Sequence, residues 1–220
     1  MEIQYTDYNN ANTIISNTFS LEWAEITETL NAIPLFLKSS DQKGIKGRLN
    51  FDPVATNEYL QNELESEHWS NKIRIPQRYN PLGTDVDFGK RNVILEVQFS
   101  NYPFLINNLI RSELFFKSSV ELIEKMPIKL LIIITKSKMF PSANSSLYYE
   151  QAKNQMDFLS QKNIFSIPLR LVGLFSKLGN NIATWSKYSS TRYSRNVVQS
   201  TQISCKIELK ESGLGIITKQ

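Results

Sequence analysis

Cysteine and histidine are almost missing from this chain, with Cys205 and His68 the single representatives in 220 residues. One cysteine excludes an internal disulfide framework and a cysteine-built zinc cluster, and makes a reducing cytoplasm the natural home. One histidine, beside Trp69 and distant in sequence from the cysteine, offers no pair for nucleophilic catalysis, so His68 reads as a structural or surface residue. Long apolar runs are lacking too. The longest aliphatic stretch, Leu130-Leu131-Ile132-Ile133-Ile134, is far too short to span a bilayer, and Met1-Glu2-Ile3 lacks the basic and apolar regions of a secretory leader. No membrane role is expected. No internal repeat or low-complexity linker divides the chain.

What is present is an ordinary globular composition, 41% hydrophobic and 21% charged, long enough for one sizeable core. The formal charge of +4 is unevenly placed. From Lys162 onward nine Lys and Arg face only Glu208 and Glu211, whereas the preceding part holds 16 basic against 19 acidic residues. A basic C-terminal portion suits a polyanionic partner such as nucleic acid, although such a bias also marks any solvated surface.

Local signals outline the elements. Ser20 can cap a helix to about residue 31, with Trp23, Ile26 and Leu30 on one side and Thr27 interrupting the stripe. Asp52-Pro53 is a helix start, an N-cap acid followed by proline at the first helical position. Residues 65–82, polar and broken by Pro76 and Pro81, read as a loop with a short extended piece. A helix from Tyr102-Pro103 to about residue 118 carries a broad face of Phe104, Leu105, Leu109, Ile110, Leu114 and Phe115. Residues 130–134 form a continuous aliphatic run inside 128–135, the pattern of a strand buried on both faces. A helix over 147–160, a strand over 168–175 and short strands from residue 181 follow. The expected fold is α/β, a mixed β-sheet core flanked by helices over residues 1–180, with residues 181–220 as a β-rich C-terminal portion of the same domain whose basic excess suits contact with nucleic acid.

The chemistry concentrates in residues 83–99. They read as a β-hairpin whose second strand alternates, with Ile94, Glu96 and Gln98 on one face and Val93, Leu95, Val97 and Phe99 on the other. Asp87 arrives from the first strand across a turn expected at Gly89. Two acids brought together, with Asp85 near them, repel unless a cation sits between, which is the logic of a magnesium site facing a phosphate. By pattern alone Asp-x8-Glu-x-Gln is unspecific, and a solvated hairpin face is the competing reading. Asp87-Phe88-Gly89 also matches the metal-binding triplet of protein kinases, but no Gly-rich loop or His-Arg-Asp sequence precedes it.

Longer blocks carry a resemblance. Phe51-Asp52-Pro53-Val54, Leu82-Gly83-Thr84-Asp85-Val86-Asp87-Phe88-Gly89-Lys90-Arg91, Glu96-Val97-Gln98-Phe99-Ser100-Asn101-Tyr102-Pro103, Arg111-Ser112-Glu113-Leu114-Phe115, Asn144-Ser145-Ser146-Leu147-Tyr148-Tyr149-Glu150-Gln151 and Arg192-Tyr193-Ser194-Arg195 stand in one order. Together they resemble type II restriction endonucleases of the PD-(D/E)xK superfamily, in the branch where glutamine replaces the lysine. The likeness runs from the Thr6-Asp7-Tyr8-Asn9 region to about Arg195. Departures fall at residues 70–72, 120–126 and 197–220, the last affecting any clamping of the DNA backbone.

The resemblance implies a catalytic trio of Asp87, Glu96 and Gln98. Mg2+ would be held by Asp87, Glu96 and the Val97 carbonyl, with Gln98 orienting the attacking water. It implies base reading by Ser100, Asn101, Arg111, Asn144, Ser145, Tyr193 and Arg195; asparagine can pair with adenine and arginine with guanine, although Arg195 taken alone could equally clamp a phosphate. Lys90 and Arg91 are expected on the DNA backbone. The implied substrate is double-stranded DNA with an AGATCT-type palindrome, cut to 5′-phosphate ends in a restriction-modification system. A palindrome calls for a two-fold homodimer, built on the helices over 103–118 and 147–160. A non-cleaving DNA-binding protein and a structure-specific repair nuclease are the alternatives.

Overall fold

In the computed structural model, which describes residues 1–99, 101–142, 146–190 and 196–220, the chain opens with β1 (Glu2–Tyr8), α1 (Ala11–Thr18) and α2 (Ser20–Ala32). Next come β2 (Leu35–Ser39), β3 (Leu49–Phe51), α3 (Pro53–Ser66), β4 (Ser70–Arg74), β5 (Asp85–Lys90) and β6 (Val93–Val97). After α4 (Pro103–Lys117), a small hairpin of β7 (Glu121–Ile123) and β8 (Met126–Pro127) leads to β9 (Leu130–Lys136) and α5 (Tyr149–Gln161). The chain ends with β10 (Leu169–Phe175), β11 (Gly179–Tyr188), β12 (Val197–Leu209) and β13 (Gly215–Lys219).

A mixed sheet of six strands, ordered β1-β10-β9-β6-β5-β4, forms the middle layer. Its central strands β10, β9 and β6 run parallel, while β1, β5 and β4 are antiparallel to their neighbours. All seven residues of β9 are buried, as the aliphatic run requires. Strand periodicity then divides them between two cores. Ile94, Leu131, Ile133 and Leu171 face Leu105, Leu109 and Phe115 of α4 and Ala152 and Met156 of α5. Leu95, Ile132, Ile134 and Val172 face Ile26 and Leu30 of α2 and Leu60 and Leu64 of α3. Burying each such side chain contributes about 1.5–3 kcal/mol. A charge placed at Ile132 or Ile133 would find no wet face to turn to.

The second sheet, ordered β13-β12-β11-β2-β3, packs Ala183, Ile203, Cys205 and Ile207 into the same core as α2 and α3. Two of its strands, β2 and β3, come from the first quarter of the chain, with β2 parallel to β11. Asp52 ties the layers together. One carboxylate oxygen caps α3 by accepting from the Val54 and Ala55 N–H groups, and the other accepts the Tyr188 hydroxyl at 2.6 Å from β11.

The hairpin turn differs from expectation. It lies at Arg91-Asn92, with Arg91 at φ 53°, and Gly89 is an interior residue of β5. Glycine is needed there for space: a Cβ would stand 2.2 Å from Ile123 Cδ1 and 2.7 Å from Ile73 Cδ1. Residues 65–82 also hold more structure than their polarity suggests, because α3 runs to Ser66 and β4 then pairs with β5 as the sheet edge. Among the described residues no helix is long and apolar enough to cross a membrane.

Candidate active site

The site forms where β5 and β6 leave their last cross-strand pair. Phe88 lies opposite Leu95, so the next step along the antiparallel register sets Asp87 abreast of Glu96. The Val97 N–H donates to Asp87 Oδ2 at 2.7 Å and holds that carboxylate over the strand end. Glu96 is 2% exposed and Gln98 8%, so both polar groups are enclosed rather than displayed on a solvated hairpin. Gln98 Nε2 reaches the Asn101 carbonyl at 3.4 Å, joining the end of β6 to the entry of α4.

A cation is already present in the form of Arg111. From α4 its guanidinium donates to Glu96 Oε1 at 2.5 Å and to Asn108 Oδ1 at 3.3 Å, and only 5% of the residue is exposed. Gly83 makes room for it, since a Cβ there would fall 2.1 Å from a guanidinium nitrogen. Burial dominates the acids' protonation and pushes Glu96 up to about 8, with Arg111 pulling it down and Asp87 adding to the rise. Asp87 is raised by the same desolvation, against the opposing pull of the Val97 N–H and Arg111. A buried Glu96 and a half-buried Asp87 with one guanidinium remain short of positive charge, and their hard oxygen donors suit a divalent cation.

Asp85 stands apart from this pair. It is exposed and accepts the Thr84 hydroxyl at 2.9 Å, and among the described residues no group of three or more Asp, Glu, His or Cys converges as a metal site. Among the described residues the acids gathered here are therefore two, Asp87 and Glu96, and not a trio.

Asp87, Glu96, Val97, Gln98 and Arg111 are thus brought together, and Asn101 lies beside them, exposed, at φ 48°. Ser100, Asn144, Ser145, Tyr193 and Arg195 fall outside the described residues. Lys90 and Arg91, expected on the DNA backbone, both have partners within the protein. Lys90 grips both oxygens of Glu25 at 2.7 and 2.9 Å and the Glu67 carbonyl at 2.8 Å, while Arg91 pairs with the buried Glu22 at 2.7 Å. They pin the hairpin to α2 with help from Trp69, whose Nε1 also donates to Glu25. His68 is exposed in the turn between α3 and β4 at φ 64°. Part of the basic surplus is internal too, since Arg170 makes a two-pronged pair with Asp7 at 2.7 Å and lies over the Tyr5 and Trp23 rings. The Arg111–Glu96 pair was invisible in sequence. Its one trace is an arginine four residues before Phe115, on the inward face of α4.

Comparison with known proteins bears on this geometry. Residues 3–174 match the family described as restriction endonuclease BglII/BglIII. The type II restriction enzyme BglII of Bacillus subtilis is 50% identical over 208 residues, 94% of this chain and 92% of the relative. Two solved structures cover both chains fully. One is restriction endonuclease BglII complexed with a DNA 16-mer, at 47% identity and TM-score 0.94. The other is free BglII, at 44% identity and TM-score 0.78.

Proposed function

The chain belongs to the BglII/BglIII family of restriction endonucleases and is a type II restriction enzyme, a deoxyribonuclease, and from that premise we propose that it hydrolyses duplex DNA at an AGATCT-type palindrome with Mg2+, leaving 5′-phosphate and 3′-hydroxyl ends. The observation that carries this reading is the cross-strand pair of carboxyls, half-buried Asp87 and buried Glu96, with the buried Gln98 amide two residues further on, just past β6. The greater likeness to the DNA-complexed relative than to the free one, 0.94 against 0.78, supports taking this conformation as one able to hold DNA.

Asp87, Glu96 and the Val97 carbonyl would hold the metal, which supplies Lewis-acid activation of water and neutralises charge on the phosphate. Gln98 has no titratable group, so its amide can aim the water but cannot take its proton. The Asn101 carbonyl fixes that amide and thereby couples water placement to the stretch that reads bases. Water attacks phosphorus in line with the departing 3′ oxygen, and the proton passes to solvent or to a substrate phosphate. Ser100, Asn101, Asn144, Ser145, Tyr193 and Arg195 read base edges, each good contact being worth about 1–3 kcal/mol of discrimination. Arg111, whose guanidinium is paired with Glu96 here, would be the further base reader.

The two-fold partner docks on α4 and α5. Tyr102, Phe104, Ile110 and Phe158 are 45–61% exposed on these helices, and a shallow apolar cleft between them is lined by Tyr102, Pro103, Ile106, Gln155, Phe158 and Leu159. Such a patch on a monomer surface calls for cover.

The test is cleavage of a random-sequence duplex pool with Mg2+ or with chelator, followed by mapping of the ends. Metal-dependent cuts confined to one palindrome, lost in Asp87→Asn while dimerisation and specific binding persist, are expected. Cleavage that ignores sequence, or full activity in that variant, would defeat the proposal.

A further inference from the structure

Lys136 ends β9 with 1% of its surface exposed, and among the described residues no carboxylate forms an ion pair with it. Its ammonium instead donates to the Phe99 carbonyl and reaches the Leu147 carbonyl at 3.5 Å. Three ring faces surround it, with centroids at 5.3 Å for Tyr148, 5.5 Å for Phe51 and 5.9 Å for Phe99. An enclosed charge without a counter-ion is expensive, and burial drives its pKa down to about 7. A methionine would fill the position more cheaply, so the ammonium must do something that packing alone does not.

The chain positions of its partners say what. Phe99 immediately precedes Ser100 and Asn101, and Leu147 follows Asn144 and Ser145 by two residues. Phe51 belongs to β3, and its N–H donates to the Pro141 carbonyl at 2.9 Å on the near side of the same loop. The far side is rooted separately, because Glu150 in the first turn of α5 accepts from the Ser137 hydroxyl at 2.6 Å and the Lys138 N–H at 3.0 Å. One ammonium therefore joins the stretch leaving the catalytic strand, the stretch entering α5 and the edge of the second sheet.

We propose that Lys136 is a positioning residue for sequence recognition, setting the separation between the two base-reading stretches by holding the Phe99 and Leu147 carbonyls on one charged donor. The proposal rests on the reading of residues 100–101 and 144–145 as base contacts. It acts through those residues, and Lys136 itself touches neither DNA nor the reacting atoms.

The experiment compares kcat and KM on an AGATCT duplex with those on duplexes changed at one base pair, for the parent enzyme, Lys136→Met, Asn101→Ala and Asn144→Ala, alongside thermal melting. Lys136→Met is expected to melt at or above the parent temperature near pH 7, yet lose at least tenfold in the cognate to near-cognate ratio of kcat/KM. Restoring an ammonium by alkylating Lys136→Cys to an aminoethyl thioether before refolding, in a Cys205→Ala background so that the core thiol is not modified, should recover that ratio. A purely structural lysine would lower melting and slow all substrates equally. Should Lys136→Met fail to fold, Phe51→Leu removes one ring face and should lower the ratio about threefold. A folded Lys136→Met, or in its place Phe51→Leu, with unchanged discrimination overturns the proposal. If Asn101→Ala and Asn144→Ala are themselves without effect, the base-reading assignment falls, and this proposal falls with it.

Discussion

Replacing Arg111 by methionine tests whether its guanidinium balances the charge of the candidate site. The guanidinium is 5% exposed, lies 2.5 Å from a carboxyl that is 2% exposed, and fills space left by Gly83. Removing one member of an enclosed ion pair costs about 3–5 kcal/mol when the other must stay charged. Here Glu96 can escape part of that cost by keeping its proton. Its folded pKa, pushed to about 8 by burial, lies above its unfolded value of 4.5, so the folded state binds the extra proton and stability falls as pH rises between the two. Arg111 opposes that rise, and losing it moves Glu96 further up and prolongs the fall to higher pH. The penalty of Arg111→Met should therefore be small near pH 7, about 1–2 kcal/mol for a lost hydrogen bond and some packing. It should grow to about 3–5 kcal/mol by pH 9. Urea unfolding of the metal-free protein in chelator, at several pH values and with the m-value monitored, measures it. A penalty under about 1 kcal/mol at pH 9, or one that does not change with pH, would refute the charge-balancing role.

Three other outcomes follow from particular contacts. Asp52→Ala should cost about 2–4 kcal/mol through the lost α3 cap and the lost hydrogen bond from the Tyr188 hydroxyl, and a double-mutant cycle with Tyr188→Phe should show coupling of about 1.5–3 kcal/mol, strict additivity being the contrary result. Gly89→Ala should destabilise by about 1–3 kcal/mol from overpacking against Ile123 and Ile73, with partial recovery in Ile123→Val; an alanine variant that melts with the parent would show that the strand simply shifts. Lys136 binds its proton more weakly when folded, about 7 against 10.5, so its contribution should make stability rise with pH across that window, by at most about 5 kcal/mol. Denaturation curves from pH 6 to 10 should show that rise in the parent and its loss in Lys136→Met, and identical pH profiles would contradict it.

Elements with a signal of their own were legible in the chain. Asp52-Pro53 announces α3, Tyr102-Pro103 announces α4, and the aliphatic run of β9 admits only a strand covered on both sides. The face assignment of β6 follows from alternation, which puts Glu96 with Ile94 and away from Leu95. By contrast β1 and β2 are weakly patterned, and they become strands by pairing with the distant β10 and β11. Their stability comes from the neighbour's ladder, and a local window cannot see the neighbour.

The active site divides in the same way. By itself the sequence determined the chemistry available, two acids and an amide on adjoining strands without a lysine or histidine beside them, because residue type and strand period are local properties. Only the tertiary structure decided how that chemistry is balanced. It brought Arg111 of α4 onto Glu96, spent Lys90 and Arg91 on holding the hairpin to α2, and enclosed Lys136 between two carbonyls from separate stretches. Charge pairing acts through space and is strengthened by burial, and neither the distance nor the burial of a side chain is written at its own position in the chain.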